Sequence, residues 1–337
     1  MQNFSRAANA AGKELLMKYL YPLKLSYVTK SPLWGGTRLL QGWNIVAEGK
    51  DTVGEAWMLT VREKDMSVIQ NGALAGMRMS DYITSYGGGV VGTAYDGGDF
   101  PLLIKLIDAT DRLSVQVHPD DDYAARVEND RGKTEMWYIV EADEGAEIIY
   151  GLKDGMSAEQ FRAAVREGRL SETMHHCPVK AGETYFIPSG MLHAIGAGIL
   201  IAEIQQNCDL TYRVYDYERR QPDGSLRELH VDKALDVTVP FTDAEVDAIR
   251  YEAGAPENAA TLAHCRYFKT VKHDVEGAQA LVVNERSFVF LLCLEGEGCV
   301  RYGGEEYPIC RGEGYYLPAG LGEVTLDGGM TLLSAQM

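Results

Sequence analysis

The chain contains the run GETYFIPSGMLH at residues 182–193, which follows the pattern Gly-x5-Pro-x-Gly-x2-His. This pattern predicts a strand at Thr184–Ile187, a tight turn, and a return strand that carries His193. The run GEGYYLPAGLGE at residues 312–323 fits the same pattern, except that Glu323 replaces the histidine. Two related β-barrels, of which only the first keeps the histidine, are the simplest interpretation of this repeat.

Most of the remaining sequence predicts short strands separated by glycine-rich turns. In residues 113–118 apolar and polar residues alternate, so that Ser114, Gln116 and His118 share one face of a strand. Such strands favour β-sandwich or jelly-roll domains. Further strands are predicted at 134–140, 199–204, 287–295 and 298–302, and a hairpin around Asp223-Gly224 joins 210–217 to 226–231.

Two capping boxes predict helices within this β framework. Ser157 and Gln160 form the first, ahead of apolar residues at helical spacing. Thr242 and Glu245 form the second in the same way. The stretch after the second helix is polar and rich in alanine, glycine and proline, which is typical of a linker between domains.

Length and composition exclude several classes of protein. The chain has 337 residues, of which 46% are hydrophobic and 24% charged, an ordinary globular balance. At about 150 residues per domain, this length suggests two domains. No run reaches the roughly 18 apolar residues of a membrane-spanning helix. The net charge of −17 argues against nucleic-acid binding, whereas a small anionic ligand needs only a local basic pocket.

The cysteines and the N-terminal stretch both bear on location. The six cysteines include no Cys-x-x-Cys pair, which argues against a structural zinc site or a redox motif. They are typical of reduced cytosolic thiols. The first 16 residues contain Arg6, Lys13 and Glu14 and lack the apolar segment of a secretory signal. We therefore expect a cytoplasmic protein with no membrane partner.

Four side chains are candidates to bind one metal ion. Gln116 and His118 lie two residues apart on the polar face of one strand, so both can approach one point. Glu135 lies in the next predicted strand, and His193 lies after the Gly-Pro-Gly turn. A Gln-x-His pair alone is more often solvated surface, but its combination with the turn motif favours a metal site. One amide oxygen, two imidazoles and one carboxylate suit a divalent ion such as zinc.

Five further segments carry a specific pattern: LSVQVHPD at 113–120, GKTEMW at 132–137, CDLTYRVYD at 208–216, P-x-W-G-G at 32–36 and GEAW at 54–57. These segments resemble type I mannose-6-phosphate isomerases, also called phosphomannose isomerases, in their short bacterial branch. The turn motif resembles the second signature of the cupin superfamily, with Ala197 where many cupins carry asparagine. The resemblance spans about residues 21–238 and is weaker beyond.

The resemblance implies a mainly β fold with two cupin-type jelly-roll β-barrels, a small helical insertion and an interdomain helix. It implies a sugar phosphate as the small-molecule partner and one Zn²⁺ per chain, held by Gln116, His118, Glu135 and His193. It also places five catalytic residues in the pocket: Lys105, Lys133, Glu203, Asp209 and Arg213.

The resemblance and the local patterns together predict the domain boundaries. We expect an N-terminal extension at 1–16 and a catalytic metal-binding domain at 17–250, with its helical insertion near 157–168. A linker at 251–262 and a metal-free cupin-like domain at 263–337 complete the chain. The second domain is expected to pack against the first and cap it, in a monomer or a weak homo-oligomer.

Residue patterns give partial support for the implied pocket. Lys133 precedes Glu135 by two residues, so on a strand both side chains point the same way. Lys105 and Glu203 each interrupt an apolar run, where a charge is costly unless it is paired. Lys105 would otherwise be an edge lysine that reaches solvent. Glu203 has a structural ion pair with Arg213 as its alternative role, and Arg213 alone is equally compatible with a surface strand position.

One position departs from the family pattern. Longer members often carry a histidine directly before the lysine of the Lys-x-Glu segment, where it has been considered for opening the sugar ring. Gly132 stands there in this chain. Ring opening is therefore assigned to no residue. The neighbouring pair His175-His176 is expected on a solvated loop after the first helix.

The functional hypothesis is the reversible isomerisation of mannose 6-phosphate and fructose 6-phosphate through an enediol or enediolate. A non-catalytic, metal-containing cupin that binds or senses sugars is the alternative, against which Lys133, Glu203 and Arg213 argue. A cupin oxygenase is disfavoured because iron oxygenases of this superfamily usually use more histidines. The copy of the turn with Glu323 lacks histidine partners, so the C-terminal domain is expected to bind no metal.

Overall fold

The computed structural model describes residues 20–254 and 260–337. The predicted N-terminal extension and part of the predicted linker lie outside the described residues. The described chain is mainly β, as the alternating patterns and glycine-rich turns predict. Its strands are β1 (Leu23–Lys24), β2 (Val28–Lys30), β3 (Glu55–Leu59), β4 (Leu102–Ala109), β5 (Val115–Val117), β6 (Glu135–Ala142), β7 (Glu147–Leu152), β8 (Met174–Pro178), β9 (Thr184–Ile187), β10 (His193–Ile195), β11 (Ile199–Gln206), β12 (Tyr212–Tyr215), β13 (Thr261–His264), β14 (Lys269–Val283), β15 (Val289–Tyr302), β16 (Glu305–Cys310), β17 (Gly314–Leu317) and β18 (Gly322–Gln336).

Helices are short and few in comparison. The α-helices of the described residues are α1 (Arg38–Gly42), α2 (Met79–Tyr86), α3 (Asp121–Val127), α4 (Ala158–Arg166), α5 (Val231–Val237) and α6 (Asp243–Arg250). Both predicted capping boxes are present, since Ser157 caps α4 and Thr242 caps α6. In the part of the chain that the structure covers, no helix has both the length and the apolar character needed to cross a membrane.

Two sheets position the candidate site. One has six strands in the order β2-β3-β4-β11-β6-β9, and the other has five in the order β12-β5-β10-β7-β8. The central strands β4 and β11 are buried along their whole length, which accounts for their nearly continuous apolar sequence. A third sheet contains β1, β17, β15, β18 and β14 in this order, with β16 beside β15.

Both copies of the Gly-x5-Pro-x-Gly pattern form the predicted strand, turn and return strand. The first copy connects β9 to β10, and the second connects β17 to β18. The second glycine of each turn is in the left-handed region, with φ of 90° at Gly190 and 77° at Gly320. Glycine is required there because a side chain strains this backbone conformation. The internal repeat in the sequence therefore corresponds to a repeat in local structure.

Two local predictions were wrong. The turn at Asp223-Gly224 forms, but residues 226–230 make only an isolated bridge, between Arg220 and Leu226, and no strand. The chain turns instead into α5, directly after the amide of His230 donates to the carbonyl of Arg213. The pair His175-His176 lies in strand β8 and not in a loop, although both side chains are exposed as expected.

The described chain divides into two compact units. One includes residues 29–57 and 101–269, and the other includes residues 58–100 and 270–337. This division differs from the predicted boundaries, which place 58–100 in the catalytic domain. Segment 58–100 belongs with the C-terminal strands because backbone hydrogen bonds join the two parts of the chain. Thr93 donates to the carbonyl of Glu285 and Phe288 to that of Val91, both at 2.8 Å.

Candidate metal centre and its cavity

The five-stranded sheet places three predicted site residues in one row. Gln116 on β5 is directly opposite His193 on β10 and opposite Arg213 on β12. Residues opposite each other in antiparallel strands project their side chains from the same face. His118 follows Gln116 by two positions and therefore lies on this face as well. The register of three short strands thus brings together residues that are up to 97 positions apart in sequence.

The six-stranded sheet supplies a second row. Glu203 on β11 is opposite Lys105 on β4 and opposite Trp137 on β6. Glu135 precedes Trp137 by two positions and therefore shares its face. In this sheet the predicted Lys105, Glu203 and Glu135 are brought together by the pairing of β4, β11 and β6.

Three of the four predicted metal ligands form a tight buried cluster. The ligand atoms of His118, Glu135 and His193 all lie within 4.8 Å of one another. Nε2 of His193 is 3.5 Å from Oε1 of Glu135, and Nε2 of His118 is 3.7 Å from Oε2. Two atoms that each bind a tetrahedral ion at about 2.1 Å are about 3.4 Å apart. The spacing of the cluster therefore fits one small divalent ion.

Hydrogen bonds orient both imidazoles toward the centre of the cluster. Nδ1 of His118 lies 2.7 Å from the carbonyl oxygen of Leu210, and Nδ1 of His193 lies 2.8 Å from that of Met191. A carbonyl oxygen only accepts, so each Nδ1 carries the proton and each Nε2 presents a lone pair. Burial holds the pKa of His118 well below its usual value and lowers that of His193 to about 4. Both rings are therefore neutral, as metal ligands must be.

Glu135 completes the donor set. Its carboxylate is fully buried, and Oε1 has no hydrogen-bond partner among the described residues. Burial and the neighbouring Glu203 carboxylate raise the pKa of Glu135 to about 7. A cation between this carboxylate and the two imidazoles would stabilise the ionised form of Glu135, which burial otherwise disfavours. Two nitrogen lone pairs and an orphaned buried carboxylate oxygen are a donor set that zinc accepts.

Gln116 lies at the edge of this cluster. Its side-chain amide is 3.4 Å from Nε2 of His193, with the nitrogen on that side. The ligand of a metal ion is the amide oxygen, which a half-turn of the planar amide exchanges with the nitrogen. The structure thus places Gln116 beside His193, the residue of the cluster that lies opposite it across β5 and β10.

A buried network of opposite charges surrounds the cluster. Nζ of Lys105 lies 2.9 Å from Oε1 of Glu203, and Nζ of Lys133 lies 3.8 Å from the same oxygen and 2.5 Å from Oε2 of Glu135. Trp137 donates to Oε2 of Glu203 at 3.0 Å. Lys105 is therefore a paired buried residue and not an edge lysine. Glu203 pairs with lysines, whereas the ion pair with Arg213 considered from the sequence does not form.

These contacts keep the network charged. Burial alone would raise the pKa of Glu203, but Lys105 and Lys133 outweigh it and lower the pKa to about 2. Burial alone would lower the pKa of Lys133, but Glu135 and Glu203 reverse the effect and raise it above its ordinary value. The site therefore presents ammonium groups in a region that water hardly reaches, where they act strongly on developing negative charge.

The network opens into a cavity of about 160 Å³. Its charged lining residues are four cations and two carboxylates, an excess of two positive charges in a chain of net charge −17. Such a local excess attracts an anionic ligand. The lining cations are Lys105, Lys133, Arg213 and Arg227, and the carboxylates are Glu55 and Glu203.

Sequence reasoning missed Glu55, Trp34 and Arg227 in this lining. The segments that carry Trp34 and Glu55 were noticed only as family motifs, and Arg227 was taken as part of a strand. Among the predicted site residues, Asp209 is the one that the structure leaves apart. It is exposed on the loop after β11 and does not line the cavity.

Gly132 lies directly before Lys133 and has no room for a side chain. A Cβ atom there would lie 2.5 Å from the amide nitrogen of Asp121 and 2.6 Å from the carbonyl carbon of Asp120. The first turn of α3 therefore occupies the space that a larger residue needs. The backbone packing at this position is therefore incompatible with a histidine side chain.

Two family models match the sequence of this chain. The model described as phosphomannose isomerase type I, catalytic domain, matches residues 22–163, and that of the mannose-6-phosphate isomerase cupin domain matches residues 258–336. Mannose-6-phosphate isomerase ManA of Bacillus subtilis is 38% identical over 309 residues, which cover 91% of this chain and 96% of that protein. This chain belongs to the type I mannose-6-phosphate isomerase family.

Other relatives and solved structures agree with this membership. Mannose-6-phosphate isomerase of Streptococcus mutans is 34% identical, with 93% of this chain and 98% of that protein covered. The crystal structure of mannose 6-phosphate isomerase from Bacillus subtilis aligns with a TM-score of 0.84 at 33% identity, covering 94% of this chain and 99% of the other. A mannose 6-phosphate isomerase bound with zinc and yttrium has the same fold, with a TM-score of 0.74 at 17% identity.

Proposed function

We propose that the protein interconverts mannose 6-phosphate and fructose 6-phosphate. The observation that supports this best is the buried Lys105–Glu203–Lys133 network directly beside the His118–Glu135–His193 cluster. An aldose–ketose isomerase needs cations around the two oxygens that exchange the carbonyl group, and this cavity supplies them. The homologues named mannose-6-phosphate isomerase give the substrate class.

The reaction transfers one proton from C2 of the open-chain aldose to C1, while the carbonyl group moves from C1 to C2. Negative charge develops on both oxygens in the enediolate. Lys105 and Lys133 are donors that can hold these oxygens, and Glu203 positions both of their Nζ atoms, at 2.9 and 3.8 Å. Burial of the network excludes water, which strengthens these interactions.

We propose that one zinc ion per chain is held by His118, Glu135 and His193, with the amide oxygen of Gln116 as a fourth ligand. When bound, the ion supplies a positive charge that stabilises the developing enediolate. The Nδ1 hydrogen bonds orient the two imidazoles of this set, and Lys133 contacts the carboxylate of Glu135.

Arg213 contributes a cation to the same cavity, and we assign it to substrate binding rather than to surface structure. The assignment of Asp209 to the site rests only on the family pattern. We also propose that the strands form two cupin-type jelly rolls and that region 263–337 binds no metal. The substrate is a small sugar phosphate, with no nucleic acid or membrane partner, and the protein acts in the cytoplasm as a monomer or weak homo-oligomer.

A coupled assay tests the function directly. Fructose 6-phosphate formed from mannose 6-phosphate is measured before chelation, after chelation and after zinc is restored. Turnover that disappears on chelation and returns with zinc is expected. Binding of the sugar phosphate without any turnover in the zinc-loaded protein would instead support a sensing role and contradict the proposal.

A further inference from the structure

A second cavity lies against the reverse face of the five-stranded sheet. Its volume of about 510 Å³ is typical of small-molecule sites and exceeds the 160 Å³ of the cavity beside the metal cluster. Ala194 follows His193 on β10 and therefore projects from the opposite face. Ala194 is opposite Ile149 on β7, which is opposite His176 on β8, and these three residues line the second cavity. Among the described lining residues, Ile195 is the one that both cavities share.

A shift in strand register turns an aromatic side chain into this second cavity. On β12, Arg213 is opposite Gln116, but Tyr215 is opposite Val115, so the pairing with β5 shifts by one residue between them. Without this shift, Arg213 and Tyr215 would project from the same face. Arg213 instead lines the cavity beside the metal cluster, whereas Tyr215 lines the second cavity. Tyr215 is 39% exposed, so its ring is open to contact with a ligand.

A strained turn holds a second tyrosine beside the first. Tyr217 and Glu218 have φ of 55° and 54°, a left-handed conformation that asparagine and glycine usually adopt and that strains a bulky residue. Such strain persists where surrounding contacts hold it, and it is frequent at ligand sites. The ring centroid of Tyr217 is 4.9 Å from that of Tyr215 and 3.7 Å from the guanidinium carbon of Arg112. These three side chains form one wall of the second cavity, the aromatic wall.

Hydrogen-bonding groups lie on both sides of the second cavity. The guanidinium of Arg112, which lies over the Tyr217 ring, makes no hydrogen bond and no ion pair with the residues that the structure describes. Across the sheet, on β7 and β8, Nδ1 of His176 lies 2.7 Å from Oε1 of Glu147, and both side chains are about half exposed. One side of the cavity therefore offers donors, and the other offers a carboxylate and an imidazole.

Small residues at the end of β10 keep the second cavity open. Ala194, Gly196 and Ala197 all belong to its lining. A Cβ atom at Gly196 would lie 1.9 Å from the carbonyl oxygen of Glu147, so a larger residue does not fit there. Ala197 is exposed, so a larger side chain at this position has room to extend into the cavity.

The charge of this lining favours a neutral ligand. Apart from the imidazole of His176, its charged residues are one cation, Arg112, and one carboxylate, Glu147, whereas the cavity beside the metal cluster has an excess of two positive charges. A sugar hydroxyl both donates and accepts hydrogen bonds, and the apolar face of a sugar ring can pack on an exposed tyrosine.

We propose that the second cavity binds an unphosphorylated sugar of one or two hexose rings. The ring packs on the aromatic wall, and its hydroxyl groups bind Arg112 on one side and the Glu147–His176 pair on the other. This inference goes beyond the proposed function, because it involves no residue of the metal cluster. Since Ala194 and His193 project from opposite faces of β10, a sugar here and a sugar phosphate beside the cluster can be bound together.

Isothermal titration calorimetry of the whole protein with mannose and with β-1,4-mannobiose tests the proposal. At least one of the two sugars should bind to the wild type. Its affinity should stay within about twofold when saturating mannose 6-phosphate, brought to its isomerisation equilibrium, is present. A sugar that enters the cavity beside the metal cluster would instead be displaced by the sugar phosphate.

Variants of the lining identify where the sugar binds. Arg112→Gln should raise Kd about tenfold, because hydrogen bonds from a charged donor are lost, and Tyr215→Ala about fivefold, because a ring that packs on the sugar is lost. Ala197→Leu should raise Kd about tenfold or more by filling part of the cavity. Arg266→Gln is the matched control, since Arg266 is also exposed and lies over a tyrosine, Tyr267 at 5.1 Å, but does not line the cavity.

Two further readouts separate binding from folding and catalysis. The thermal midpoint and the kcat/KM for mannose 6-phosphate should match the wild type in all four variants. Absence of binding by both sugars, displacement of the bound sugar by mannose 6-phosphate, or equal effects of Arg112→Gln and Arg266→Gln would each overturn the proposal.

Discussion

Strands β9 and β10 flank one Gly-Pro-Gly turn, and strands β17 and β18 flank the other. Each turn has its second glycine in the left-handed region, and each leads into a return strand. The residue at the start of these return strands differs, since the first turn is followed by His193 and the second by Glu323. His193 is surrounded by His118 and Glu135, whereas the residues described around Glu323 include no comparable cluster of three ligands. The turn alone therefore makes no candidate metal site, which also needs the side chains that the neighbouring strands contribute.

A buried ion pair also distinguishes the region around His193 from the C-terminal sheet among the described residues. Lys105 and Glu203 pair in the interior, each less than a tenth exposed. In the C-terminal sheet, Arg301 and Glu306 pair on the surface, at 48% and 62% exposure. Exposed pairs contribute little to stability, whereas a buried charge is costly unless its partner remains. A region that keeps buried charges in this way is organised for chemistry rather than for stability alone.

The largest expected effect follows from removing the histidine that distinguishes the first turn. His193→Ala should lose the bound metal and lower kcat/KM about a thousandfold or more, because a bound ion stabilises the transition state by several kcal/mol. Metal analysis together with the coupled isomerase assay measures both effects. Full metal occupancy in this variant would remove His193 from the ligand set.

The next effect concerns the cation opposite Gln116. Arg213→Ala should lower kcat/KM for mannose 6-phosphate about a hundredfold or more, or roughly 3 kcal/mol of transition-state stabilisation. The protein should keep its metal, because Arg213 lies beside the cluster but is not a ligand. Unchanged kinetics in a folded, metal-loaded variant would show that Arg213 does not serve the substrate.

A smaller effect, on the free energy of unfolding, should distinguish the two turns. An added Cβ at Gly190 would lie 3.0 Å from the carbonyl oxygen of Val237 and 3.1 Å from a methyl group of Val239, whereas at Gly320 the nearest atom is 3.6 Å away. Gly320→Ala should cost about 1 kcal/mol through backbone strain alone, and Gly190→Ala about 2 kcal/mol or more through strain and crowding. Chemical denaturation of both variants measures this difference, and equal losses would show that crowding adds nothing at Gly190.

Gly190→Ala should also weaken metal binding, because the amide of Gly190 donates to the carbonyl oxygen of His118 at 2.8 Å. Gly320→Ala has no such link and serves as the control. A titration with zinc against a competing chelator measures this second readout. Equal metal affinity in the two variants would show that the turn does not influence the cluster.

The smallest expected effect is at Glu323. Glu323→Gln should leave the ratio of metal to protein unchanged, since a lone carboxylate without imidazole partners is a poor zinc site. Loss of a second equivalent of tightly bound metal on this change would overturn the comparison between the two turns, because it would show that both copies bind metal.

The sequence was sufficient to select the three residues that cluster in the structure, His118, Glu135 and His193, but not the whole cavity lining. Gln116, His118 and His193 could be found because strand alternation and the turn pattern are local signals. The partner of Glu203 could not, because it depends on the register of β4 against β11, which places Lys105 opposite it. Arg227 was missed for a similar reason, since its segment alternates like a strand but is held irregularly by contacts to Asp216.

Local sequence patterns also could not predict which segments form the C-terminal unit. Segment 58–100 is joined to 270–337 by backbone hydrogen bonds such as that between Thr93 and Glu285, which are nearly 200 positions apart. No short-range periodicity indicates such a pairing. Family motifs do not reveal it either, because a motif describes the order of residues along the chain and not which segments fold together.

The crowding at Gly132 has a consequence for protein engineering. A histidine cannot be installed before Lys133 by a single substitution, because the new side chain would collide with the backbone where α3 begins. Asp121 reinforces this constraint, since its side chain accepts a hydrogen bond from the amide of Gly132 at 2.9 Å. A design that aims to add an imidazole there has to rebuild the first turn of α3 first. The order in which the substitutions are introduced therefore decides whether the intermediate variants fold.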